Sequence, residues 1–364
     1  MIENHEAIQA KFFLARERKV HLKSAIAALL LSTIVAQNSA HADEDGISFW
    51  LPGLFGSLAA VPQQPGFSLA TINYFDTVSA GNSVARAREF SIGDVPASFK
   101  GNVSANVHAT LDLGLINATY TFASPVFGGL ATIGLLAFPG YNDTSLNGRV
   151  DGVVTLPPPV GSVPFSKSVN LNQSTVGFGD LYPQAILRWN QGINNFMTYA
   201  TGDIPVGTYN SRDLANLGIG HGAIDSGAGY TYLNPQTGHE FSAVAGFTYN
   251  FLNPYTQYQS GVDFHLDWAA SQFLSKQLLV GVVGYVYREI GCDSGSGDHV
   301  GCFQSQVFSA GPQIGYSFPV SQDLLGYVNL KAYGEFGAMN RPSGANVWLT
   351  FALSPAPPRP VTKD

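Results

Sequence analysis

The sequence predicts an all-β fold, a transmembrane antiparallel up-and-down β-barrel of about twelve strands, and three observations carry the prediction. Charged residues make up 12% of the 364-residue chain and aromatics another 12%, with 40 glycines and a mean hydropathy of +0.08; soluble proteins average about 25% charge. The chain has no 18-residue apolar run to cross a bilayer as a helix, so in hydrocarbon its backbone groups would be satisfied by a closed barrel. Most of the chain divides at period two into strand-length segments whose connections alternate between short and long.

Residues 1–42 read as a secretory signal peptide. Lys11, Arg16, Arg18, Lys19 and Lys23 form a basic region, Ala25 to Val35 an apolar core too short to span, and Ala40-His41-Ala42 a small-x-small cleavage site. Val20 is an alternative start. Residues 43–66 follow as an N-terminal apolar segment. Within it Phe49, Trp50, Leu51 and Phe55 belong to an apolar stretch interrupted by Pro52 and ended by Pro62, which exclude a span. Two readings stay open for it: an interfacial anchor on the periplasmic leaflet, or a plug folded up into the lumen.

The barrel is expected over 67–353, with strands near 67–78, 103–122, 126–138, 177–190, 193–205, 222–233, 239–252, 258–273, 277–290, 303–318, 324–336 and 344–353. The even-numbered connections, such as Ala123-Ser124-Pro125 and Gln191-Gly192, are turn-like. Among the odd ones 79–102, 139–176, 206–221 and 291–302 are long, and Asn253 to Gln257 is the short exception. That parity fits an outer-membrane barrel with both termini in the periplasm. Cys292 and Cys302, the only cysteines, fall in one odd connection and in an exported chain read as a disulfide closing an external loop. The Pro-rich residues 354–364 read as a periplasmic tail without strand pattern.

Alternation assigns faces. In 258–273, Phe264, Leu266 and Trp268 face lipid while Asp263, His265 and Asp267 face the lumen. In 240–251, Phe241, Phe247, Tyr249 and Phe251 face lipid. In 103–115 the odd Val, Ala and Leu residues are placed toward lipid, with His108 and Asp112 on the wet face. Adding Asp180, Gln184, Arg188, Asp203, Glu240, Asn329, Lys331 and Glu335 gives an inward polar set, either packing a narrow barrel with hydrogen bonds and ion pairs or lining a solute path. Tyr199, Tyr285, Tyr287, Tyr327 and Tyr333 stand among them as wall packing or as weak contacts for a ring.

Other chemistries find less support. A net charge of −7 that includes the basic signal leaves no cationic stripe for nucleic acid. Asp263-x-His265-x-Asp267 shares one face, yet no further ligand can be placed beside it to complete a metal site. No G-x-S-x-G elbow marks a hydrolase; a rim-active lipid-modifying enzyme would want a lipid-facing His, and alternation puts His108 and His265 inward. The glycines of Leu217-Gly-Ile-Gly-His-Gly222 precede no helix and read as a flexible external loop rather than a nucleotide loop. No cofactor is expected.

Ser48 to Pro62 followed by Gln-Gln-Pro-Gly66, Gly179-Asp180, Leu233-Asn-Pro-Gln-Thr-Gly-His-Glu240-Phe241 and Gly311-Pro-Gln-Ile-Gly315 resemble the "meta-pathway of phenol degradation" outer-membrane family over nearly the whole exported chain. The final strand resembles the closing strand read by the barrel-assembly machinery. The resemblance implies an outer-membrane channel of a Gram-negative bacterium for passive uptake of small hydrophobic or aromatic solutes, not an enzyme. A general porin, a lipid-modifying enzyme and a structural or adhesive barrel are the rivals.

Overall fold

The computed structural model describes residues 48–92, 95–157, 161–298, 302 and 304–357. The signal peptide, its cleavage site at Ala42 and the last seven tail residues lie outside them. Twelve strands run antiparallel: β1 (Gly66–Ile92), β2 (Val95–Thr121), β3 (Leu130–Leu156), β4 (Gly161–Gln191), β5 (Asn194–Asp203), β6 (Ala223–Leu233), β7 (His239–Asn250), β8 (Asp263–Phe273), β9 (Leu278–Glu289), β10 (Gln306–Pro319), β11 (Leu324–Met339) and β12 (Ser343–Pro355). Each pairs with its sequence neighbours, and β1 pairs with β12 from Leu69↔Leu353 to Ser79↔Ser343, closing the barrel. Closure leaves no sheet edge in the wall, the condition for a β-structure in hydrocarbon.

Two of the expected long connections change character. Residues 79–102 and 139–176 are mostly strand, since β1 to β4 run 27 to 31 residues. Their Gly, Ser and Asn content read as loop, but the period-two alternation continues through it. The connection after β7 is not the short exception: β8 starts at Asp263, so it spans 251–262. β10 likewise starts three residues later than expected, at Gln306. Short turns hold at 192–193, 234–238, 274–277 and 320–323, with Gly192 at φ 69° and Gly238 at φ 73° in the left-handed region that favours glycine. β12 takes in Ser354 and Pro355, shortening the expected tail. Cys292 and Cys302 are disulfide-bonded, Cα–Cα 4.5 Å.

Contacts divide the chain into two compact units. The first includes 81–106 and 146–171, where Arg149 Nε donates to Asp151 Oδ2 at 2.5 Å and Ser104 Oγ to the Arg149 carbonyl at 3.5 Å. The second holds the described residues 48–80, 107–145 and 172–357, and everything below concerns it.

Its wall has an apolar exterior. Phe241, Phe247, Tyr249, Tyr316, Leu349 and Phe351 are among the exposed large apolar side chains, while Asp263, His265 and Asp267 are buried, as alternation predicts. Phe247–Phe264 (5.4 Å) and Phe308–Phe336 (6.2 Å) pair toward one end of the wall, Tyr316–Phe318 (6.2 Å) and Phe318–Phe351 (6.5 Å) toward the other. Phe308 and Tyr316 are separated by about 27 Å along β10 at roughly 3.4 Å per residue. Tilted by about 40°, that distance spans roughly 21 Å, close to the apolar band of an outer-membrane barrel.

On β2 the expected faces are reversed. Leu113 and Leu115 are 2% and 0% exposed, whereas Ile116 and Tyr120 are 44% and 47% exposed; His108 and Asp112 share the outward, exposed face and do not line the lumen. Both faces of β2 carry apolar residues, so period two alone leaves the phase undetermined. The inward leucines join Leu136, Phe138, Tyr182 and Ile186 in the core. The interior is therefore divided: apolar along β2 to β4, rich in carboxylates along β6 to β9.

Candidate functional site: a segment held inside the barrel

An irregular segment inside a barrel has no ladder to satisfy its backbone, so its N–H and C=O groups must find side chains. Residues 48–62 form such a segment, and the inward polar set supplies the partners. Asp267 of β8 accepts from the Gly53 and Phe55 N–H groups at 2.9 and 3.0 Å. Glu240 of β7 accepts from the Leu58 N–H at 2.9 Å and the Ser57 hydroxyl at 2.7 Å. Arg188 Nε of β4 donates to the Ala59 carbonyl at 3.0 Å, and Lys331 Nζ of β11 to the Gly53 carbonyl at 2.5 Å. Tyr182 OH donates to the Phe49 carbonyl at 3.2 Å, and the Ala60 N–H to Thr231 Oγ1 at 3.0 Å. These partners stand on β4, β6, β7, β8 and β11, so inward side chains of five strands bind the segment.

The segment's own sequence fits the task. Gly53 has φ +90°, and an added Cβ would lie 3.1 Å from the Tyr333 ring. Leu58 sits at φ 66°, a conformation costing an ordinary residue about 1–2 kcal/mol. Glu240 offsets that cost by taking both Leu58 N–H and Ser57 OH, since charge-assisted hydrogen bonds contribute roughly 1.5–3 kcal/mol each. Gly53→Ala should therefore loosen the segment without unfolding the wall: acrylamide quenching of tryptophan fluorescence is expected to increase while the barrel's resistance to heat and SDS stays unchanged.

The apolar side chains find the other half of the interior. Phe49 packs on Tyr182 at 4.5 Å, and Phe55 on Tyr199 at 5.5 Å. Trp50 stacks on the His265 imidazole, centroids 3.6 Å apart and 13° between planes, and its indole N–H has no hydrogen-bond partner. His265 Nε2 lies 2.9 Å from Asp225 Oδ2 and 3.3 Å from Tyr199 OH, and the His265 and Asp225 side chains are fully buried. Phe49, Trp50, Leu51, Leu54 and Phe55 face Leu136, Tyr182, Ile186 and Tyr199 across a cavity of about 30 Å³. A benzene-sized guest needs about 150 Å³.

The remaining predicted site residues have other partners. Asp180 accepts from Gly207 N–H (2.7 Å) and Ile219 N–H (2.8 Å), pinning the connection 204–222. Ala215, Leu217, Ile219 and His221 there are buried, so this glycine-rich stretch is a packed loop rather than a flexible one. Gly218 lets it approach, as a Cβ there would stand 2.9 Å from Asp180 Oδ1. Burial lowers the pKa of His221 from its ordinary value, leaving it neutral at pH 7 with Nδ1 3.0 Å from the Gly222 carbonyl. Glu335 accepts from Tyr285 OH at 2.7 Å and Gly344 N–H at 2.8 Å. Asp263 accepts from Asn250 Nδ2 at 2.9 Å. Asp263, His265 and Asp267 thus face one way yet have different partners. Sequence reasoning did not identify Asp225, Thr231, Gln313 or Trp348, all buried; Asp225 stands two strands from His265, across β7, a contact that only the register reveals.

The solved structure of the COG4313 outer membrane channel from Pseudomonas putida F1 is similar to this chain at 13% identity, TM-score 0.51, covering 84% of this chain and all of that one. A Pseudomonas aeruginosa FadL homologue aligns at 11% identity and TM-score 0.34, over 84% and 94% of the two chains. No curated protein matches by sequence. The family described as "Putative MetA-pathway of phenol degradation" matches residues 92–351. Coverage of that extent, on a closed twelve-stranded barrel, settles its kinship: the chain belongs to this phenol-degradation outer-membrane family.

Proposed function

We propose that this protein is a passive outer-membrane channel of a Gram-negative bacterium for small hydrophobic or aromatic compounds, with residues 48–62 as a displaceable plug. The carrying observation is the cavity between the aromatic side chains of that segment and the apolar wall. It offers a ring apolar and aromatic surface with few polar groups, the composition of a small-molecule site. Its volume is too small for a benzene-sized guest, so passage requires the segment to move. In this reading both termini are periplasmic and the Cys292–Cys302 loop is external, exported by a signal cleaved near Ala42 and inserted by the barrel-assembly machinery into outer-membrane lipid. The COG4313 protein's description as an outer membrane channel supports the assignment. So does the family's description by phenol degradation.

Proteoliposomes test it. Entry of phenol or toluene is expected to be faster than through protein-free vesicles and to saturate, while a sugar of similar mass enters far more slowly. Equal entry of the sugar would favour a general porin, and no entry of any aromatic compound would end the uptake reading.

A further inference from the structure

On the outward face of β8 to β10 lies a groove of about 450 Å³ lined by Phe264, Val286, Ile290 and Phe308, with Arg288 and Gln304 as its polar members. Arg288 is out of place there. In the ladder it sits opposite Phe264 on one side and Gln306 on the other, and the next outward row is Leu266, Val286 and Phe308. An arginine on the lipid face is costly near the bilayer midplane and tolerable near the interface, where a long side chain reaches the headgroups. Arg288 stands beside the Phe247–Phe264 pair and above Phe308–Phe336, the aromatic rings at the loop-bearing end of the wall. No carboxylate among the described residues pairs with it. Nor does the inward network claim it, since Glu289 and Tyr287 beside it are buried while Arg288 is exposed.

A guanidinium beside an apolar groove at headgroup depth matches a phosphate with acyl chains below it. We propose that Arg288 and this groove bind one lipid A molecule of the outer leaflet, the guanidinium taking a glucosamine phosphate and the groove an acyl chain. The choice of lipid A over an inner-leaflet phospholipid rests on the proposed orientation, in which the 290–305 connection faces outward. The occupant would fix the barrel's depth beside the loop closed by Cys292–Cys302 and fill a cleft that bulk lipid packs poorly.

Native mass spectrometry of the refolded full barrel, titrated with diphosphoryl lipid A, monophosphoryl lipid A or phosphatidylglycerol, tests the site. One lipid A is expected to bind about tenfold more tightly than to R288Q, the change expected from losing one charge-assisted hydrogen bond. R288K should fall between, and R149Q, altered in the other unit, should bind as wild type. Equal affinity of R288Q and wild type overturns the site, and phosphatidylglycerol binding as tightly as lipid A overturns the occupant. An epitope inserted after Ser296 should be stained on intact cells; staining only after lysis overturns the orientation and the lipid A assignment with it. Phenol entry into proteoliposomes is read separately, so lipid binding without flux would end the uptake reading alone.

Discussion

Deleting residues 48–62 is expected to raise single-channel conductance in planar bilayers on the order of tenfold, because a lumen intermediate between filled eight-stranded barrels and wide porins would replace a gap of about 30 Å³. The argument rests on what holds the segment. Its contacts include charge-assisted hydrogen bonds that Asp267 and Glu240 accept from backbone N–H groups and Arg188 and Lys331 donate to backbone carbonyls, together with the Trp50–His265 stack. None of these belongs to the strand ladder. Removing the segment leaves the side chains facing water, which hydrates them, so the barrel should still fold and resist SDS at room temperature. Asp267→Ala is the single-residue version: it removes two acceptors and should produce frequent open bursts rather than a steady open state. A deletion variant that folds, inserts and conducts like wild type would show that the lumen is closed by something other than this segment.

The wall was largely legible in the sequence; what fills it was not. Period two identified β7 and β8 with the correct faces because one face of each is apolar and the other largely polar. It failed on β2, where Leu113 and Leu115 point inward while Ile116 and Tyr120 point outward, since both faces carry apolar residues and the polar His108 and Asp112 stand on the outward one. Turn chemistry located the short connections, but Gly and Ser within β1 to β4 were indistinguishable from loop. The inward carboxylates were found as a set, whereas their task depended on contacts such as Asp267 with Gly53, 214 residues apart, which no local pattern encodes. The plug and anchor readings of Phe49 to Pro62 were equally compatible with its hydropathy. The hydrogen bonds from five strands support the proposed plug, and no local pattern encodes them.

Phenol should cross this barrel faster than benzoate at pH 7, by on the order of tenfold or more. Among the described residues eight buried carboxylates, Asp180, Asp203, Asp225, Glu240, Asp263, Asp267, Glu289 and Asp293, stand against two buried cations, Arg188 and Lys331. Both cations bond segment carbonyls while the segment is seated, and an entering carboxylate meets more carboxylates than cations among these buried groups. Two like charges about 6 Å apart at an effective dielectric near 20 repel by roughly 2.8 kcal/mol, and one such encounter corresponds to about a hundredfold. Phenol keeps its proton at pH 7 and avoids that term, while its hydroxyl still exchanges hydrogen bonds with the tyrosines. As pH falls through about 4, the ordinary carboxylic-acid range, benzoate becomes neutral and its entry should rise toward that of phenol, after subtraction of leak through protein-free vesicles. Protonation of lumen carboxylates would move the ratio in the same direction, so the sign of the pH dependence does not depend on which group titrates first. Stopped-flow entry into proteoliposomes at pH 7 and pH 4 gives both numbers, and benzoate entering as fast as phenol at pH 7 would show that the carboxylates do not face the path.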